Sequence, residues 1–168
     1  MLFRSIVLVI FMKALITGAS SGLGRDFAFK LAEEGYDLIL VSRDIDKLES
    51  IQSKIKNVNV EVKSLDLSIK DNVYKLYEKY KGEVDLLINN AGFGECGQFS
   101  KLDLENDINM INLNVVAVHM LTKLFLNILS TAYLPTYLGV KGFVLNVPLA
   151  TLLNSVSTGP GHNTLTFT

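Results

Sequence analysis

The residues best suited to chemistry lie in Thr17-Gly18-Ala19-Ser20-Ser21-Gly22-Leu23-Gly24, and that chemistry is the holding of a phosphate. The stretch follows the apolar run Ala14-Leu15-Ile16 and leads into a helical pattern beginning at Arg25. A strand that ends in a glycine-rich turn and feeds a helix gathers unpaired backbone N–H groups around one point. The positive end of the helix dipole faces the same point, so an anion such as pyrophosphate is favoured there. Gly18 suits the tight turn, Gly22 a close approach of backbone to phosphate, and Gly24 close packing of helix on strand. The amides of Ser20, Ser21 and Leu23 complete the cradle.

Elements able to position this loop can be read on either side of it. Arg25 to Glu34 places Phe27, Ala28, Leu31 and Ala32 at helical spacing, with Gly35 as a C-terminal cap. Asp37 to Ser42 reads as a buried second strand. Asp44 is an N-cap for a helix carrying Ile45, Leu48, Ile51 and Ile55 on one face. Val58, Val60 and Val62 alternate with polar residues, as in a half-buried edge strand. Ser68 with Asp71 suggests a capping box before a helix containing Val73, Leu76 and Tyr77. Val84 to Asn89 is a fourth strand, Leu104 to Leu134 a long helix, and Gly142 to Val147 a fifth strand. Strand alternating with helix predicts an α/β fold, a doubly wound parallel sheet with helices on both faces.

Composition narrows the setting. The chain has 168 residues, 49% of them hydrophobic, which suits one domain with a substantial core. A net charge of −1 gives no electrostatic footprint for nucleic acid or an anionic membrane. Cys96 is the single cysteine, and no His or Cys cluster suggests a metal, so a reducing, cytoplasmic setting is expected. Cys96 reads as a small apolar filler and His119 as a helix-surface or packing residue. The apolar run from Ser5 to Met12 is far short of the roughly 20 residues that span a bilayer. Residues 1–11 are therefore read as an extension: spurious, a lengthened first strand, or a weak membrane tether. Residues 12–147 form the domain, and 148–168 a divergent tail. Every charged residue lies at or before Lys141.

With these elements placed, the chain resembles the short-chain dehydrogenase/reductase family in its single-domain branch. Four motifs carry the resemblance: Thr17 to Gly24, Asp66 after the third strand, Asn89-Asn90-Ala91-Gly92 closing the fourth, and Asn114 in Ile111-Asn112-Leu113-Asn114-Val115. Their order and spacing agree over residues 13–147. The resemblance implies a Rossmann-like three-layer fold and hydride transfer between a nicotinamide cofactor and a small carbonyl or alcohol. It places Asp66 and Leu67 at the adenine edge and Asn90, Ala91 and Gly92 along the cofactor. It assigns Asn114 to the catalytic group, kinking its helix and holding a water in a proton relay. It also implies a homo-oligomer formed through the Asn114 helix and a following helix that this chain lacks. Asp66 has a plainer use as the cap of the next turn.

Arg43 selects among cofactors. An NAD enzyme ends its second strand with an acidic residue that accepts from the ribose 2′-hydroxyl. Here that place is Ser42, followed at once by Arg43, whose guanidinium suits a 2′-phosphate, so NADP(H) is expected.

The remaining chemistry of the family requires a tyrosine, a lysine four residues later, and a serine just after the fifth strand. A free tyrosine, with pKa about 10, is a poor base near neutrality without such a lysine. The serine position is Leu149, preceded by Pro148. One count puts the tyrosine at His162; anchoring on Pro160-Gly161 puts it at Leu165, with the lysine falling beyond Thr168. Neither count yields Tyr-x-x-x-Lys, and Ser155 and Ser157 lack partners at the right spacing. The expectation is an N-terminal portion of a reductase, its sheet incomplete at the C-terminal edge and its turnover doubtful.

Overall fold

Ala14-Leu15-Ile16 and Leu38-Ile39-Leu40-Val41 are apolar at every position, so neither strand can leave a face in water. The computed structural model describes residues 12–131 and 143–146, with side-chain surroundings through Leu126. Both apolar runs lie inside a parallel sheet covered on both sides. The elements follow in the order β1 (Lys13–Thr17), α1 (Gly22–Glu33), β2 (Asp37–Ser42), α2 (Ile45–Lys54), β3 (Val60–Ser64), α3 (Lys70–Tyr80) and β4 (Leu86–Asn89). A 3-10 turn (Phe99–Lys101), α4 (Leu104–Ile111), a π-helical segment (Asn112–Ala117), α5 (Val118–Thr131) and β5 (Phe143–Asn146) complete it.

The strands lie in the order β3-β2-β1-β4-β5, all pairs parallel. Alternate residues point to opposite faces. Leu15, Ile39, Val41 and Leu87 meet α3 and α5 through Val73, Leu76, Tyr80, Leu121 and Phe125. Ala14, Ile16, Leu38, Leu40 and Ile88 meet α1 and α2 through Ala28, Leu31, Leu48 and Ile51. The chain winds outward from β1 to β3, then returns to place β4 on the other side of β1. That reversal opens a crevice at the C-terminal ends of β1 and β4, the position where open α/β sheets bind ligands.

Several expectations hold at the level of single residues. Asp44 caps α2, accepting from the Lys47 amide at 3.1 Å. Gly35 takes φ +86° just past α1, where its own amide and that of Tyr36 satisfy carbonyls of the last turn. β3 lies at a sheet edge with its valines half-buried.

Others are corrected. The capping box of Ser68 and Asp71 does not form: Ile69 occupies the N-cap of α3 without a side-chain bond, because Ser68 is drawn back to Asp66. α1 begins at Gly22 rather than Arg25, since the glycine-rich turn itself coils into the first turn. The long helix is continuous but not uniform, its middle widening into the π segment. Cys96 is exposed in the loop after β4 rather than filling the core.

Leu104–Leu126 is long and apolar enough, by length and composition, to cross a membrane. Its Leu113, Ala117, Leu121 and Phe125 pack on the sheet. Residues 1–11, the helix end at 132–134, Gly142, Val147 and the tail 148–168, including Leu149, His162 and Leu165, lie outside the described residues.

Candidate functional site

The crevice is built from loops that leave β1, β2 and β4. At its floor, Gly18 turns with φ +67°, and a Cβ there would stand 2.8 Å from the Ala91 Cα. Gly24, buried in the first turn of α1, lies so close to the same loop that a Cβ would meet the Gly18 carbonyl oxygen and the Asn90 Nδ2. Gly22 is different. Its φ is +52°, and a Cβ would meet nothing within 4 Å, so its backbone faces open space. The three glycines thus divide into two that let chain segments touch and one that leaves room for a ligand.

Around that room the amides of Ser20, Ser21, Gly22, Leu23 and Gly24 have no acceptor among the described residues; the first intrahelical bond runs from the Arg25 amide to the Ser21 carbonyl. Ser21 makes no side-chain cap and the first turn carries no acidic residue, so the helix end stays positive. A cavity of about 220 Å³ opens there, lined by Gly18, Ser20, Ser21, Gly22, Leu23 and Arg43 with Asn90, Ala91 and Gly92. These donors fit a pyrophosphate.

Arg43 is exposed at the mouth, and among the described residues no carboxylate pairs with it. Asp44, the one acid beside it, is committed to capping α2 and to Lys47 Nζ at 2.8 Å. Ser42 is likewise engaged, donating to Ser20 Oγ at 2.8 Å. The end of β2 therefore presents a free cation and no free carboxylate.

Arg43 also lines a second cavity of about 210 Å³, together with Asp66, Ser68, Phe93, Asn106, Asn109 and Leu113. Here Asp66 does cap the following turn: its Oδ1 accepts from the Ser68 amide at 2.9 Å and from the Ser68 hydroxyl at 2.7 Å. Its position on the cavity wall is kept as well. Leu67 sends its side chain into the core, where it is 4% exposed, so only its backbone could serve a ligand.

Asn114 sits in the π segment, which is itself a common mark of functional sites. Its Nδ2 donates to the Phe93 carbonyl at 2.7 Å, and its Oδ1 accepts from the Phe93 amide at 3.1 Å. Both ends of the carboxamide hold the loop after β4, which makes the side chain a clamp; the second Nδ2 hydrogen and the second Oδ1 lone pair are not used by these two bonds. Asn90 has a comparable role: its Nδ2 bonds two carbonyls of the β1 loop, while its buried Oδ1 has no partner among the described residues.

Sequence reasoning missed Asn106 and Asn109, whose spacing of three on α4 was available as a signal, and the Thr17 hydroxyl, which accepts from the Asn90 and Ala91 amides and so ties the β1 loop to the β4 loop. Tyr77 and Lys81 have the Tyr-x-x-x-Lys spacing but lie at the far end of α3, where Tyr77 packs edge-on against Phe125 and Lys81 pairs with Glu78. Tyr137 and Lys141 share that spacing and fall outside the described residues.

Comparison with known proteins gives a consistent result. Residues 12–146 match the family described as short chain dehydrogenase. A very-long-chain 3-oxoacyl-CoA reductase of Vanderwaltozyma polyspora is 37% identical over 118 residues, which are 66% of this chain and 34% of that protein. A short-chain dehydrogenase from Sphingobium yanoikuyae, solved with NADPH, superposes with a TM-score of 0.71 at 28% identity, covering 81% of this chain and 52% of that one. An alcohol dehydrogenase from Thermococcus sibiricus, solved with 5-hydroxy-NADP, gives a TM-score of 0.67 at 34% identity, covering 73% and 55%. The chain spans about a third of the curated relative's length and about half of each solved chain. With a family match that spans residues 12–146, a stretch that holds the glycine cradle, the β4 loop and Asn114, the chain belongs to the short-chain dehydrogenase/reductase family.

Proposed function

We propose that this chain holds NADP(H), and that it belongs to an oxidoreductase that interconverts a small carbonyl compound and its alcohol. The carrying observation is Arg43: a guanidinium with no acidic partner among the described residues, at the mouth of a cradle whose amides have no acceptor among them, beside an Asp44 already spent on α2. Ser20 to Gly24 bind the pyrophosphate, Arg43 the 2′-phosphate, and Asp66 the base, while Asn90, Ala91 and Gly92 line the path toward the reacting end. NADP(H) supplies the hydride when bound. Asn114 positions the wall after β4 through Phe93. The name of the Vanderwaltozyma polyspora relative, very-long-chain 3-oxoacyl-CoA reductase, supports a carbonyl group as the point of reaction, though on a substrate far larger than a simple ketone.

The exposed stripe Leu104, Ile108, Ile111 and Val115 supports self-association through this helix. A second reading, an NADP(H)-binding protein without turnover, is favoured by one observation: at the positions counted for the serine and tyrosine the chain has Leu149 and His162 or Leu165.

Thermal melting tests the first statement. NADPH at 100 times its dissociation constant should stabilise the chain by about 2.7 kcal/mol. NADH at the same concentration should do far less. An unmoved midpoint with NADPH refutes the reading. NADPH oxidation with a panel of ketones and aldehydes then separates enzyme from binder.

A further inference from the structure

α4 is unusual for a helix beside a cavity. It buries no side chain, yet it carries Asn106 and Asn109, residues of modest helix propensity that compete for backbone bonds. Neither carboxamide has a hydrogen-bond partner among the described residues. Spaced three apart, they lie on one face of α4, and Leu113 follows four residues after Asn109 on the same side. All three line the cavity whose other walls are Arg43, Asp66, Ser68 and Phe93. The chamber therefore has apolar side chains in Leu113 and Phe93, a cation at one end, and both acceptors and neutral donors around its rim.

That combination matches a flat heteroaromatic base attached to a phosphorylated ribose. Adenine presents an amino donor beside ring-nitrogen acceptors. Asp66, when ionised, can only accept, so it answers the amino group alone. The ring nitrogens require donors, and each carboxamide supplies both kinds of group. We propose that Asn106 and Asn109 read the hydrogen-bonding edge of the purine base, which makes them specificity-determining residues opposite Asp66. The inference rests on the NADP(H) reading above.

The test compares NADP+ with 1,N6-etheno-NADP+, in which the bridge blocks the amino group and its neighbouring ring nitrogen. Binding to the full 168-residue chain is titrated by calorimetry, for the natural sequence and for Asn106→Ala, Asn109→Ala and the double variant. Both positions are exposed, and alanine favours the helix, so the unliganded melting temperature should hold or rise. Each lost neutral hydrogen bond should weaken NADP+ about fivefold to tenfold. Affinity for the etheno compound should stay within about twofold, so the preference for the natural base collapses in the double variant.

A double variant that binds NADP+ as tightly as the natural chain overturns the inference and leaves the NADP(H) reading standing. Equal losses for both ligands overturn it too, because the carboxamides would then act through something other than the base edge. A natural chain that binds neither ligand removes the NADP(H) reading itself.

Discussion

The side-chain oxygen of Thr17 accepts from the backbone amides of both Asn90 and Ala91, each at 3.0 Å, and donates to the Ile88 carbonyl at 3.3 Å. Asn90 returns the contact, its Nδ2 donating to the Thr17 and Gly18 carbonyls at 3.1 and 3.2 Å. All of the hydroxyl's hydrogen-bonding capacity is used. The loops leaving β1 and β4 are one rigid piece at the point where the sheet reverses direction. Thr17→Val keeps the shape and removes the acceptor, leaving the buried Asn90 amide and the part-buried Ala91 amide without this partner. It should cost about 3 kcal/mol in urea unfolding, and Thr17→Ser should restore most of that.

The glycines of the cradle should fail in different ways. Gly24→Ala drives a methyl into the Gly18 carbonyl and should cost about 1–3 kcal/mol of stability, since backbone on both sides must shift. Gly22→Ala meets no neighbouring atom, and its cost is the left-handed φ alone, about 1 kcal/mol. The methyl nevertheless occupies the space offered to phosphate. Melting curves with and without NADPH separate the two: Gly24→Ala lowers the unliganded midpoint more, while Gly22→Ala loses more of the shift that NADPH produces.

Replacing Arg43 tests the choice of cofactor. Arg43→Ala should weaken NADPH about tenfold to a hundredfold, the range for charge-assisted bonds, and leave NADH nearly unchanged. Because Arg43 is exposed and its side chain pairs with no acid among the described residues, unfolding stability should hardly move. Equal losses for the two cofactors would contradict the assigned role.

Tyr80 gives the fold a sensitivity to alkali. Its ring is buried between α3 and the sheet, and its hydroxyl donates to Glu61 Oε2 at 2.8 Å. Burial first, and the Glu61 carboxylate second, push the phenol well above its ordinary pKa of 10.0. The unfolded chain therefore loses this proton at lower pH than the folded one. The resulting stability is fully present below pH 10.0 and drains away as pH rises above it. Tyr80→Phe has no such proton to lose. The stability gap between the natural chain and this variant should narrow from pH 9 to pH 11 in denaturant titrations, and a constant gap would exclude the mechanism.

The fold was legible wherever burial dictated residue type. Strands covered on both faces must be apolar throughout, so β1 and β2 announce themselves, and Asp44 and Gly35 mark helix ends by chemistry that short-range geometry demands. Ser68 misled because a nearer partner, Asp66, competed for it. The cradle could be read because glycine types are forced by the spaces they leave. Asn114 could be placed, but its use as a clamp on Phe93 depends on a loop 21 positions away in sequence. Asn106 and Asn109 went unread for the same reason: Arg43 and Asp66, which share their cavity, reach it from other strands.

The central claim is that the turn between β1 and α1 grips a dinucleotide by its phosphates. Amide chemical shifts recorded during an NADPH titration test it most directly. Saturable shifts at Ser20, Ser21, Gly22, Leu23 and Gly24, larger than those at the opposite end of the sheet near Asp37 and Asn59, are the predicted result. Amides in this turn that stay fixed at saturating NADPH would contradict it.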